Sequence, residues 1–408
     1  MVTDFDVVPT IIGILFLVLP ALLFGRLCSH FRIPEIIGFV FAGIILGPAA
    51  LGGIIPIFGK PIVELNEVMM GLWQISGILI LFSAGLHFTF HDLIKAGPKS
   101  ALIGIFGVVV PLVSGYFIMI WLGFDWTIAV IIGTTLSATS IAISVVILEE
   151  IGKEKSREGN ILVNAAVLDD VLGLAILSGI ISLLSLKSAP SIESIAINTV
   201  TEIGFWFLIL LGSVYVLPKI VHAVAQMSPK TLEARATKQG VALGSAFGLA
   251  AIASSVGLNP IVGAFAAGMG LAGSKLASQV REFVDRLKII VAPIFFAIIG
   301  AHVDISQITS IDWILFSILL VVAVCSKLFG CGIPGAIMLK SKKSGLRIGY
   351  GMLPRGEVAF IVAGIGLAFG ILSDTIYSTI VFVIMSTIFI SPILVRNSFK
   401  SNNDRIPS

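Results

Sequence analysis

Charge is what this chain has least of. Only 12% of its 408 residues are Asp, Glu, Lys or Arg, against roughly a quarter in an ordinary soluble domain. Hydrophobic residues make up 57%, and the mean hydropathy is +1.08. A soluble globular fold is excluded, and an all-α polytopic membrane protein is implied. Cysteine is scarce too. Cys28, Cys325 and Cys331 lie in or beside apolar runs without metal-ligand spacing, so no disulfide framework or zinc site is implied. The sequence has no Ser/His/Asp set, no metal-binding spacing and no phosphate loop, which argues against an enzyme and gives no cofactor. His87 and His302 fall at helix ends and read as satisfied interfacial histidines, and His222 falls in a basic loop.

What is present is apolar sequence in membrane-length pieces. A helix needs about 20 residues to cross a bilayer. Thirteen spans are expected, at 7–27, 35–52, 67–88, 98–122, 126–148, 160–186 and 198–218, then 238–256, 258–273, 288–303, 312–338, 346–370 and 375–396. The apolar run after the acidic opening MVTDFD is too long for a signal peptide and reads as a retained first helix. With this count, 22 of the 26 Lys and Arg fall in loops on one side, and Lys60 and Lys187 on the other. Basic loops stay cytoplasmic. The N-terminus is therefore expected outside and the C-terminus inside the cell membrane. Orientation and anionic lipid explain the basic clusters better than nucleic acid does.

The two remaining bases, Lys327 and Arg355, lie at membrane depth with Asp169, Asp170 and Glu357. A charge there costs roughly 2.5–3.5 kcal/mol even on the lenient insertion scale. The adjacent aspartates sit mid-span in NILVNAAVLDDVLGLAILSGIISLLSL (160–186) and must face protein or water. They read either as part of a structural ion pair or as a cation and proton site. Pairing one acid with Lys327 leaves the other without a committed partner, able to exchange a proton for a cation. Ala166 and Gly173, one turn to either side, leave room for an ion or for close helix packing.

Two spans carry signs of interruption. Thr134, Thr135, Ser137, Thr139 and Ser140 crowd the fifth. Their hydroxyls can bond to their own backbone, satisfy carbonyls freed by a break, or offer oxygen to a hard cation. In the twelfth, Pro354 and Gly356 flank Arg355 just ahead of Glu357. The chain also resembles itself. PEIIGFVFAG (34–43) resembles NPIVGAFAAG (259–268), with Gly38 and Gly43 in step with Gly263 and Gly268. ILFSAGLHF (80–88) resembles IFFAIIGAHVDI (294–305) through Gly85 and Gly300. These matches imply two inverted five-helix repeats, 35–186 and 238–370, joined by a connector at 198–225 and holding two broken crossing helices. Such repeats are the architecture of alternating access.

Taken jointly, LFSAGL, the aspartates of VLDD, GLNPIVGAFAAGM, FFAIIGAHVD, the lysine of VCSKLFG, and GMLPRGEVAFIV resemble the second cation/proton antiporter family, bacterial and archaeal sodium or potassium/proton exchangers. The resemblance covers nearly the whole chain. It implies Asp170 as the main ligand for Na+ or Li+ and as proton carrier, with Asp169 paired to Lys327. Thr134, Ser137 and Thr139 would assist, and Arg355 and Glu357 would support the crossing. It also implies a homodimer with an elevator-like mobile core. Potassium-efflux relatives often carry glutamine at the first aspartate and a nucleotide-binding domain after the last helix. Asp169 and the short tail at 397–408 favour sodium/proton exchange without that domain. Potassium/proton exchange remains an alternative. A sodium-coupled organic anion symporter is another, with only Lys327 and Arg355 to receive a carboxylate. A membrane sensor is a third.

Overall fold

A computed structural model describes residues 4–31, 33–57, 59–87, 90–186, 192–227, 232–274 and 277–400. The side chains of Asp170 and Glu357 lie outside the described residues, although their backbones sit in helices. The first half holds α1 (Asp4–His30), α2 (Glu35–Leu46), α3 (Leu51–Ile54), α4 (Glu67–His87), α5 (Phe90–Trp121), α6 (Trp126–Ser137), α7 (Ile141–Glu150), α8 (Arg157–Leu186) and α9 (Ile192–Tyr215). The second holds α10 (Leu217–Met227), α11 (Leu232–Ser255), α12 (Pro260–Ala272), α13 (Ala277–Ala301), α14 (Trp313–Lys327), α15 (Ile333–Leu339), α16 (Lys342–Gly351), α17 (Glu357–Ala368) and α18 (Asp374–Phe399). The only strands among the described residues form a two-residue hairpin, Pro56–Ile57 with Lys60–Pro61.

Eight described helical stretches are long and apolar enough to cross a membrane, and two shorter apolar helices accompany them. Their outward faces fit lipid. Ile11, Leu15, Leu19, Leu23 and Leu27 follow each other at four-residue steps along α1, and all are exposed. A helix apolar all round belongs in a membrane or a core.

Local sequence sets the ends. Asn259 caps α12, its side chain accepting from Ile261 N, with Pro260 in the first turn. Asp312 accepts from Ile314 N and Leu315 N to start α14. Several spans differ in detail from the sequence reading; the fourth begins at Phe90 and the eighth at Leu232. The eleventh runs from Trp313 to Leu339 as one helical stretch, but the π-helical turn Leu328–Gly332 sits within it, between α14 and α15; Gly330 and Gly332 in that turn and Pro334 just after it are residues of low helix propensity. The tenth begins earlier, at Ala277, because a charged, amphipathic stretch extends the helix beyond its apolar part. His222 lies in α10, not in a loop. Pro218, in the first turn of α10, helps separate it from α9.

The helices sort into two groups. In one, α4 packs on α12 and α13, α2 on α1 and α13, and α11 on α12. In the other, α5 packs on α6, α8 and α14, and α17 on α6 and α18. Glycines let the first group approach closely. A Cβ on Gly300 would collide with Val40 O and lie 3.0 Å from Gly43 Cα and Ile44 N. A Cβ on Gly85 would collide with Phe265 O and lie 3.0 Å from Gly268 Cα and Met269 N. In the reverse sense Gly43 meets Ala297, and Gly268 meets Phe82.

Candidate functional site: a buried ion pair where two interrupted helices cross

Both interruptions read from the sequence are present. The fifth span stops at Ser137 and restarts at Ile141, and the twelfth stops at Gly351 and restarts at Glu357. The two unwound segments meet. Ser140 N donates to Pro354 O at 2.8 Å, and Ser144 Oγ donates to Gly351 O at 2.7 Å. A Cβ on Gly356 would lie 2.6 Å from Ser140 Cβ, so this crossing requires glycine.

Asp169 and Lys327 lie beside the crossing, and neither side chain has any solvent exposure. Their Oδ1 and Nζ are 3.0 Å apart. Lys327 Nζ also donates to Gly107 O at 2.7 Å, Ser137 O at 2.8 Å and Thr139 Oγ1 at 2.6 Å. Asp169 Oδ2 accepts from Thr139 N at 3.0 Å. The pair thus takes up the polar groups that the break exposes. The ammonium meets a carbonyl at the C-terminal end of α6, where the helix dipole is negative. The carboxylate meets an amide just before α7, where it is positive. The acceptor in α5 has a sequence cause. Residue 111 is proline and offers no amide to the carbonyl four residues back, so Gly107 O is open to the lysine.

Arg355 is also fully buried. Its guanidinium donates to Leu353 O and, at 3.0 Å, to Ala323 O, while its backbone amide donates to Thr387 Oγ1 at 3.1 Å. It thereby caps one carbonyl that the second break leaves bare, Leu353 O on its own segment, and ties that segment to Ala323 O of α14. Its Nε has no partner among the described residues.

The hydroxyls divide. Thr134 Oγ1 donates to Val130 O at 2.9 Å, Thr135 Oγ1 to Ile131 O at 2.8 Å, and Ser137 Oγ to Thr134 O at 2.8 Å. All three bond back along their own helix, the ordinary use of such groups. Thr139 is different, receiving Lys327 on its hydroxyl and offering its amide to Asp169. Sequence reasoning missed Gly107 O and the turn after Lys327; Pro111 in the fourth span was the signal for the first.

Two interrupted helices crossing beside buried opposite charges, in an apolar helical bundle, are the parts of a secondary transporter. The fold agrees. The structure matches the sodium proton antiporter MjNhaP1 of Methanocaldococcus jannaschii with a TM-score of 0.68, at 19% identity over 95% of this chain and 96% of that one. The chain belongs to the transmembrane sodium/hydrogen exchanger family, whose model matches residues 15–396. It is 32% identical to the Na+/H+-K+ antiporter GerN of Bacillus cereus, over 92% of each chain. It is 30% identical to the Na+/H+ antiporter of Enterococcus hirae, over 94% of this chain and 97% of that one.

Proposed function

We propose that the protein exchanges Na+ or Li+ for H+ across the cell membrane by alternating access. The observation that carries this reading is the fully buried Asp169–Lys327 pair, 3.0 Å apart at the crossing of the broken helices. With Asp169 committed to Lys327 and Thr139, its neighbour Asp170 is the acid left for a cation and a proton to share. Asp170 releases its proton at one face and takes up Na+, with oxygens of the 134–139 segment as assisting ligands. The core then moves, and a proton expels the ion at the other face. The hydroxyls of Thr134 and Ser137 already donate within their own helix and Thr139 serves the ion pair, so their oxygens assist only through lone pairs those bonds leave free. Arg355 and Glu357 hold the second break. If Lys327 and Asp169 cycle a proton, each turn moves net charge; if they stay paired, exchange is neutral.

The glycine contacts support an inverted repeat. Val40, Gly43 and Ile44 relate to Gly300 as Phe265, Gly268 and Met269 relate to Gly85, so one contact is made twice. The same register relates α2 to α12, and the α6–α7 break to the α16–α17 break. We therefore draw the second unit from about residue 258 through α18, one helix later than the 238–370 bounds read from the sequence. On this reading the chain threads as thirteen crossings, with α9 and α10 as connector. This puts the basic loops in the cytoplasm, the N-terminus outside and the C-terminus inside. The exposed apolar face of α1 is available for lipid or for a second copy in a homodimer.

A K+/H+ exchanger is the second reading, favoured by the potassium in the name of the Bacillus cereus relative. Vesicle transport by Asp170→Asn tests the assignment. Exchange is lost if Asp170 carries the ion, and exchange at the unsubstituted rate rejects it.

A further inference from the structure

The two ends of the crossing helices meet the neighbouring group of helices differently. At the basic end, α7 is fastened to that group twice. Lys288 Nζ of α13 donates to Glu149 Oε2 at 2.6 Å, with the side chains only 18% and 15% exposed. Glu35 N, at the start of α2, donates to Glu150 Oε1 at 2.9 Å. At the opposite end the corresponding helix is α17. There a cavity of about 230 Å³ opens between Val358 and Ile361 of α17 and Trp73, Asn259, Ile261 and Phe295 of α4, α12 and α13. The indole N–H of Trp73 is buried without a partner among the described residues. The same pair of surfaces, related by the repeat, is thus shut at one end and parted at the other.

We infer that this is the conformation closed toward the cytoplasm, and that Glu149, Glu150 and Lys288 form the gate that holds it. The inference rests on the alternating-access reading. Moving the α6–α7 and α16–α17 core past α2, α4, α12 and α13 must pull Glu149 from Lys288 and Glu150 from the α2 terminus. The same movement closes Val358 and Ile361 onto Trp73 and Phe295. His87, Ser83 and Asp285 are linked to one another on α4 and α13 and travel together; His87 and Asp285 lie near enough to act on the charge of Glu149, but they are not pulled apart by the movement. A ligand can shift such an equilibrium only by its differential affinity for the two conformations, and so can a substitution.

The test uses the full chain in vesicles of both orientations. Lys288→Gln and Glu149→Gln weaken the closed form. Each lowers the half-saturating Na+ measured at the cytoplasmic face and raises it at the outer face, by about three- to tenfold. The swap Glu149→Lys with Lys288→Glu brings both values back toward those of the unsubstituted protein. A merely structural role would move both faces together. As an independent check, Glu149→Cys with Lys288→Cys is oxidised in a protein lacking Cys28 and Cys325, Cys331 being fully buried. Exchange stops on oxidation and returns on reduction. If the unsubstituted protein exchanges no cation, the antiporter reading falls and the gate with it. If it exchanges normally while the oxidised pair still turns over, or both faces shift alike, the gate alone is overturned.

Discussion

Lys327 occupies a carbonyl that Pro111 leaves open. The ammonium sits 2.7 Å from Gly107 O, and the proline four residues on has no amide to compete for it. A bend in one helix thus supplies part of the solvation for a charge on another. Pro111→Ala returns an amide to that carbonyl and weakens the lysine's coordination. The expected result is a lower melting temperature in detergent, with a smaller deficit when Lys327 is also replaced by Met. Equal deficits in the two backgrounds would separate the proline from the lysine.

Removing one member of the buried pair costs more than removing both. Lys327→Ala leaves Asp169 buried without its counter-charge, a loss of about 3–5 kcal/mol. Asp169→Asn with Lys327→Met removes both charges and recovers much of that stability. Denaturant unfolding of the three proteins tests this, and a double variant as unstable as the single one would contradict it.

Close backbone approach fixes the site's shape. A Cβ on Gly107 would lie 2.8 Å from Cys331 Sγ and 3.2 Å from Asp169 Oδ1. Overpacking of this kind typically costs about 1–3 kcal/mol. Gly107→Ala is expected to lower both stability and exchange. Cys331→Ala in the same protein restores part of each by making room, and no restoration would show that Asp169, not the thiol, bears the strain.

Acid loosens the basic end. Glu158, just outside the sixth span, accepts from Ser344 Oγ at 2.8 Å and Arg347 Nη1 at 3.0 Å. Burial alone would raise its carboxyl, but the bonds from Ser344 and Arg347 outweigh that and hold it below the usual carboxylate value. Its stabilisation is therefore present above about pH 4.3, the unfolded value, and is lost as the pH falls through the lower folded value. Glu158→Gln should melt below the unsubstituted protein at neutral pH, with the gap closing on acidification. A gap independent of pH would contradict this.

The depth of the ionisable groups and the two breaks were legible because lipid makes their signals severe. Five charges at membrane depth are conspicuous, and Pro354 with Gly356 cannot continue a helix without help. The partner of each charge was harder to read. Which aspartate meets Lys327 depends on helix rotation, and the acceptors from α5 and α6 are backbone carbonyls that no side-chain pattern reveals. The hydroxyls of Thr134 and Ser137 drew attention by composition, whereas their bonds run back to their own helix. The Glu149–Lys288 contact joins residues 139 positions apart, and nothing local to either stretch announces it.

Proton movement in proteoliposomes holding the full chain is the most direct test of a carboxylate shared by cation and proton. A pH-sensitive dye is quenched by an imposed proton gradient and then challenged with Na+, Li+ and K+, with and without the membrane potential clamped. The expected result is dequenching by Na+ and Li+ that vanishes in Asp170→Asn. A response to none of the three cations, or an undiminished response in that variant, would contradict the claim that this carboxylate is shared by cation and proton.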